Sequence, residues 1–206
     1  MNPRALLLLA GPALFTLAWL LLGWSHPGYS QVEDSISVLA AYRAPWAWVM
    51  SAAFVLQALS MATAGVLLRR RSGWAAALLL VNAAATLVVV AARIPCGPDD
   101  AAWCLPSEHP TSYAVHVVAA TLALTSLSLA PAATAVRGSG GLASSGLAAS
   151  VVMVPLLVWF AAADAAGWAE KAVVTVGIWW AAAAGVRILV GPGRQADPTT
   201  TERDLR

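Results

Sequence analysis

The sequence predicts an all-α integral membrane protein: six transmembrane helices in one bundle, plus a short outer interfacial helix after span one. Three observations carry this. Apolar residues make up 60% of the 206 residues and charged residues 11%, against about 45–50% and about a quarter in soluble domains. Mean hydropathy is +0.73, and the apolar residues fall in six long runs. Such a surplus cannot hide in one soluble core, so most of it must face lipid. Third, Trp24, Trp46, Trp48, Trp74 and Trp168 lie near the predicted span ends, where amphipathic rings favour the headgroup zone.

Residues 5–24 are almost unbroken apolar sequence, enough for roughly 30 Å of helix at about 1.5 Å per residue. A cleaved signal peptide is the competing reading. Its apolar core would be shorter, about 7–15 residues, and would end in a small-x-small site. This run ends in Gly23-Trp24-Ser25-His26, which favours an uncleaved first span. His26-Pro27-Gly28 then breaks the helix. Ser30 followed by Glu33 fits a capping box, in which hydroxyl and carboxylate satisfy free N–H groups at a helix start. From Gln31 to Tyr42, Val32, Ile36 and Leu39 share one helical face, while Asp34 and Ser37 share another. This predicts the short amphipathic helix, lying on or just inside the membrane surface.

Pro45 opens the second span, 46–68, which ends in Arg69-Arg70-Arg71. The third span is 74–93, the fourth 113–135, the fifth 144–163 with Pro155 as an expected kink, and the sixth 168–190. Gln57 and Asn82 lie near mid-membrane, where interhelical hydrogen bonds average under about 1 kcal/mol. Such contacts are read as glue between helices rather than a transport path. Gly191-Pro192-Gly193 ends the last span. Residues 1–191 thus form one six-span domain and 192–206 a disordered cytoplasmic tail.

Six spans place both termini on one side. One set of loops and ends holds Arg4, Arg69, Arg70, Arg71, Arg137, Arg187, Arg194, Arg203 and Arg206; the other holds Arg43, Arg93 and Lys171. The positive-inside rule puts the first set in the cytoplasm, for a multi-pass protein of the bacterial plasma membrane. Cys96 and Cys104 then face an oxidising compartment, where two cysteines in one loop are expected to form a disulfide. A metal-binding or reactive pair is the minority reading.

All three histidines and seven of the ten carboxylates fall on this outer face: His26, His109 and His116 with Glu33, Asp34, Asp99, Asp100, Glu108, Asp164 and Glu170. Ionisable residues at membrane depth are costly and tend to be functional. His109 and His116 are seven residues apart, roughly 10 Å along one helix, so they cannot jointly aim at one metal. A metal would need one of these histidines, with His116 the candidate, together with carboxylates from elsewhere, such as Asp34 or Asp164. The bland reading is that His116 hydrogen-bonds a neighbouring helix and His109 caps its own. For Asp34 and Ser37 it is the solvated face of an interfacial helix. Asp164 and Glu170 can simply cap helices. No nucleophile–base–orienter pattern is visible.

The segment His26-Pro27-Gly28-Tyr29-Ser30 with Asp34 and Ser37, the Pro95-Cys96 loop before His116, and Gly167-Trp168-Ala169-Glu170-Lys171 before the last span together resemble one bacterial family. It is the family of six-span membrane proteins catalogued as domain of unknown function 998. The resemblance covers nearly the whole chain. It implies the topology and a shared outer-face site, and no particular activity. Lys171 stands where the resemblance leads one to expect arginine, so an anion-gripping role there does not carry over.

Two functions are therefore expected. The first is binding of a lipid or small amphiphile at the extracytoplasmic polar site, with Tyr29, Arg93, His109, Asp164 and Glu170 as candidate contacts. The alternative is an intramembrane metal- or acid/base-dependent hydrolase acting on a lipid headgroup. There His116 is base or metal ligand, Asp34 its partner, and Ser37 orients water or substrate. A transporter reading is weaker, since no charge and no paired broken helices mark the mid-membrane. The partners expected are the bilayer and such an amphiphile, with no nucleic acid. The sequence assigns no cofactor and no oligomeric state.

Overall fold

Long apolar runs in lipid must satisfy every backbone group internally, and the helix does so within one segment. The structure, a computed structural model, describes residues 2–95, 110–137, 140–163 and 166–191. Six long helices account for most of these: α1 (Pro3–Ser25), α2 (Ala47–Leu68), α3 (Gly73–Ala91), α4 (Pro110–Arg137), α5 (Gly140–Ala162) and α6 (Gly167–Val190). Each is long and apolar enough to cross a bilayer, and the described residues contain no strand. Asn2 caps α1 by accepting from the Arg4 N–H at 3.0 Å, and Ser72 caps α3 by accepting from the Ala75 N–H. Both satisfy N–H groups that a helix start leaves free.

Consecutive helices pack side by side, from α1 against α2 through to α5 against α6. α6 also touches α1, α2 and α4, which closes the bundle around it. Small residues bring the helices together. At Gly146 a side-chain carbon would lie 2.5 Å from the Pro131 carbonyl oxygen, so α5 can approach α4 this closely only without one. Asn82 on α3 donates to the Ala123 carbonyl of α4 at 2.9 Å. Trp24, Trp46, Trp48, Trp74 and Trp168 are all exposed at helix ends, as interfacial anchors should be.

The connection between α1 and α2 departs from expectation. A helix does follow span one, but it is a five-residue 3-10 helix, Ile36–Ala40, and all five residues are buried. Val32, expected on the apolar face, is 59% exposed, while Ser37, expected on the polar face, is 8% exposed. The segment dips into one end of the bundle instead of lying on it. The capping box is also redistributed. Ser30 Oγ accepts from the Glu33 N–H at 3.2 Å, but the reciprocal carboxylate belongs to Asp34, whose Oδ2 accepts from the Ser30 N–H at 2.5 Å. A tight turn over residues 31–33 puts Asp34, not Glu33, within reach of that N–H.

Candidate functional site

Irregular backbone at membrane depth is tolerated only where protein satisfies it. For the 29–42 segment the satisfying groups come mainly from α6 and from Tyr29. The first N–H groups of α6 have no partner inside the helix. Gly167 donates to the Glu33 carbonyl at 3.1 Å and Trp168 to the Val32 carbonyl at 2.8 Å. Two turns of polar chain are thereby joined backbone to backbone. Only glycine permits this, because a Cβ at Gly167 would lie 2.1 Å from the Asp34 carbonyl oxygen and 2.7 Å from that of Glu33.

One turn further along α6, Glu170 and Lys171 are both buried. Glu170 Oε2 accepts from the Ile36 N–H at 2.9 Å, which starts the 3-10 helix. Lys171 Nζ donates to the Asp34 carbonyl and sits 5.1 Å from the centre of the Tyr29 ring, in cation–π range. The Tyr29 hydroxyl donates to the Ser35 carbonyl at 3.2 Å. Burial, and then the negative charges of Glu170 and Asp34, hold the Tyr29 phenol well above its ordinary range. His26 ties the same segment to its neighbours: Nε2 lies 2.7 Å from the Pro45 carbonyl oxygen and Nδ1 2.6 Å from that of Leu22.

His116 fixes the other side. It enters from the second turn of α4 and is 4% exposed. Nδ1 lies 2.7 Å from the Ala92 carbonyl oxygen, which can only accept, so Nδ1 carries the proton. In the neutral ring Nε2 is then a lone pair, and it faces Ser37 Oγ at 3.1 Å. The Ser37 hydroxyl donates to it. A serine, a histidine lone pair and a carbonyl that sets the tautomer thus stand in line. The sequence showed no such pattern because Ser37 and His116 lie 79 residues apart.

Beneath the 3-10 helix is a partly open cavity of about 50 Å³, walled by α1, α2, α3, α4 and α6. At about 10–15 Å³ per water, it accommodates a few waters or one small polar group. Ser37, Gln57, Thr86 and Glu170 face it, and Phe15 and Phe54 are among its apolar walls. The two rings meet edge to face, 5.0 Å between centres.

The structure therefore gathers Tyr29, Ser37, His116 and Glu170 at one end of the bundle, with Lys171 added. Asp34 is present there, but its carboxylate is engaged by the Ser30 N–H and does not line the cavity. The two ring nitrogens of His116 face the Ala92 carbonyl and the Ser37 hydroxyl. The Arg93 carbonyl accepts from Ser112 at 2.9 Å; its side chain is half-buried and lies outside the cavity lining. His109, Asp164, Cys96 and Cys104 lie outside the described residues. Among the described residues no three His, Cys, Asp or Glu side chains converge as a metal site. Gln57 and Thr86 were absent from the expected site. Both are uncharged polar residues within apolar runs, and only the neighbours packed around them give them a common space.

Residues 9–187 match the family model described as Protein of unknown function (DUF998). No curated protein and no solved structure matches the chain.

Proposed function

This chain belongs to the DUF998 family, and on that premise we propose that it is a multi-pass membrane protein binding a lipid or small amphiphile. The polar end sits in the cavity beneath the 3-10 helix, and the apolar remainder leaves through its open side. The cavity lies on the outer face if the arginine-rich ends are cytoplasmic. The observation that carries this is the lining: apolar walls with Ser37, Gln57, Thr86 and Glu170 converging on one small space, the usual make-up of a ligand site. No cationic side chain is among the lining residues, since Lys171 is spent on the Asp34 carbonyl. A carboxylate with hydroxyl and amide groups suits a headgroup rich in donors, such as hydroxyls, better than a phosphate. A second reading, acid–base hydrolysis of the bound headgroup, is favoured by the Ser37–His116 hydrogen bond.

The test is native mass spectrometry with lipid extraction on detergent-purified protein, beside Ala120→Phe, which fills the cavity from α4. Wild type should retain a phosphate-free amphiphile at close to one per chain. Ala120→Phe should lose it while melting near the wild-type temperature. A wild-type protein that retains nothing, or a filled variant that retains as much, overturns the proposal.

A further inference from the structure

We infer that Ser37 is a nucleophile and His116 its general base, so that the cavity transfers the acyl group of an ester-bearing amphiphile. This rests on the binding reading for its substrate class and goes beyond it in assigning a covalent step. Three features support it. The tautomer of His116 is set by the Ala92 carbonyl at 2.7 Å, so the free lone pair has one direction, toward Ser37 Oγ at 3.1 Å. That is the reach a nucleophile–base pair needs. Ser37 lines the cavity and Nε2 of His116 adjoins its hydroxyl, so a bound ester meets a hydroxyl with a base beside it. Finally, Ser37 sits on a 3-10 helix held from α6 by Glu170 and Lys171, which keeps the hydroxyl from moving away. A side chain serving only to bridge two helices would not need to face an opening.

The step balances without any further reagent. Ser37 Oγ forms a bond to the ester's acyl carbon as Nε2 of His116 receives the hydroxyl proton. The ester C–O bond breaks, and His116 returns the proton to the departing alcohol oxygen. Acyl-Ser37 and a free alcohol result. Water, or the hydroxyl of a second amphiphile, then takes the acyl group by the same steps in reverse. The amide of Gln57 and the hydroxyl of Thr86 face the same cavity and are the donors available to the developing oxyanion.

The experiment treats the full-length protein in detergent with an octyl fluorophosphonate, whose phosphorus Ser37 Oγ would attack with loss of fluoride. Intact mass and tandem mass spectrometry are read on wild type, Ser37→Ala, His116→Ala and His116→Gln. His116→Gln retains a donor for the Ala92 carbonyl but has no basic nitrogen. One adduct on Ser37 is expected, absent in Ser37→Ala. Labelling should be slower by about 100-fold or more in both His116 variants, the usual contribution of a general base. Lipid retention is measured on the same samples. Retained amphiphile with no adduct on Ser37 overturns this inference and leaves the binding reading standing. An adduct on Ser37 without retained amphiphile supports the nucleophile and removes the binding evidence. Equal labelling of wild type and His116→Gln overturns the role of His116.

Discussion

Gly167→Ala isolates the contact that seats the 29–42 segment. Gly167 does not need glycine's left-handed backbone freedom, so alanine is acceptable to the helix itself and costs less helix propensity. The penalty is purely steric. The new Cβ would lie 2.1 Å from the Asp34 carbonyl oxygen, a backbone atom that cannot rotate away. Either α6 or the segment must shift. Two neutral hydrogen bonds are at stake, Gly167 to Glu33 at 3.1 Å and Trp168 to Val32 at 2.8 Å, and one to a carboxylate, Ile36 to Glu170 at 2.9 Å. At about 1 kcal/mol for each neutral bond and about 1.5–3 for the charged one, their loss costs roughly 4 kcal/mol. At roughly 2–4 °C per kcal/mol for a chain of this size, the melting temperature should fall by on the order of 10 °C. Tryptophan fluorescence melts in detergent measure it. Gly73→Ala is the control, since nothing lies within 4 Å of a Cβ there, and it should match or slightly exceed wild type. If Gly167→Ala melts with wild type, the backbone contact between α6 and the segment is not what holds it.

Alkaline stability should depend on Tyr29. Its folded phenol stays protonated above the ordinary range, whereas the unfolded one releases its proton near pH 10. Its contribution is therefore complete below about pH 10 and declines as pH rises further. Wild type should lose melting temperature faster than Tyr29→Phe above that pH, and parallel curves would contradict the burial. Asn82→Leu removes a single bond between α3 and α4 and should cost no more than about 1 kcal/mol; a loss of several in a steric-trapping measurement would show that Asn82 anchors more than this bond. Alkaline phosphatase fused between Cys96 and Cys104 should be active and fused after Arg70 silent, with both thiols refractory to labelling without reductant. The opposite fusion pattern reverses the proposed sidedness, and free thiols remove the disulfide.

The six membrane-crossing helices were legible because the information is local. A run of about 20 apolar residues must become a helix in lipid, whatever its neighbours, and tryptophans at the run ends mark the interface. The gathering of polar residues at one end follows from counting spans. Hydrophobic periodicity misled at residues 31–42, because it shows which residues share a face but not what that face meets. Ser37 and the Asp34 backbone looked solvated since nothing nearby in sequence satisfies them, although the Asp34 carboxylate has the Ser30 N–H four residues away.

Their partners are remote: Glu170 is 134 residues from Ile36, Lys171 is 137 from Asp34, and His116 is 79 from Ser37. Composition and pattern thus determined that the chain spans the membrane six times and that its histidines and most of its carboxylates fall at the end opposite most of its arginines. Only the packing of α3, α4 and α6 around the buried segment decided which of those groups touch. A hydrogen bond is directional and effective over about 3 Å, and a sequence fixes no distance between residues so far apart.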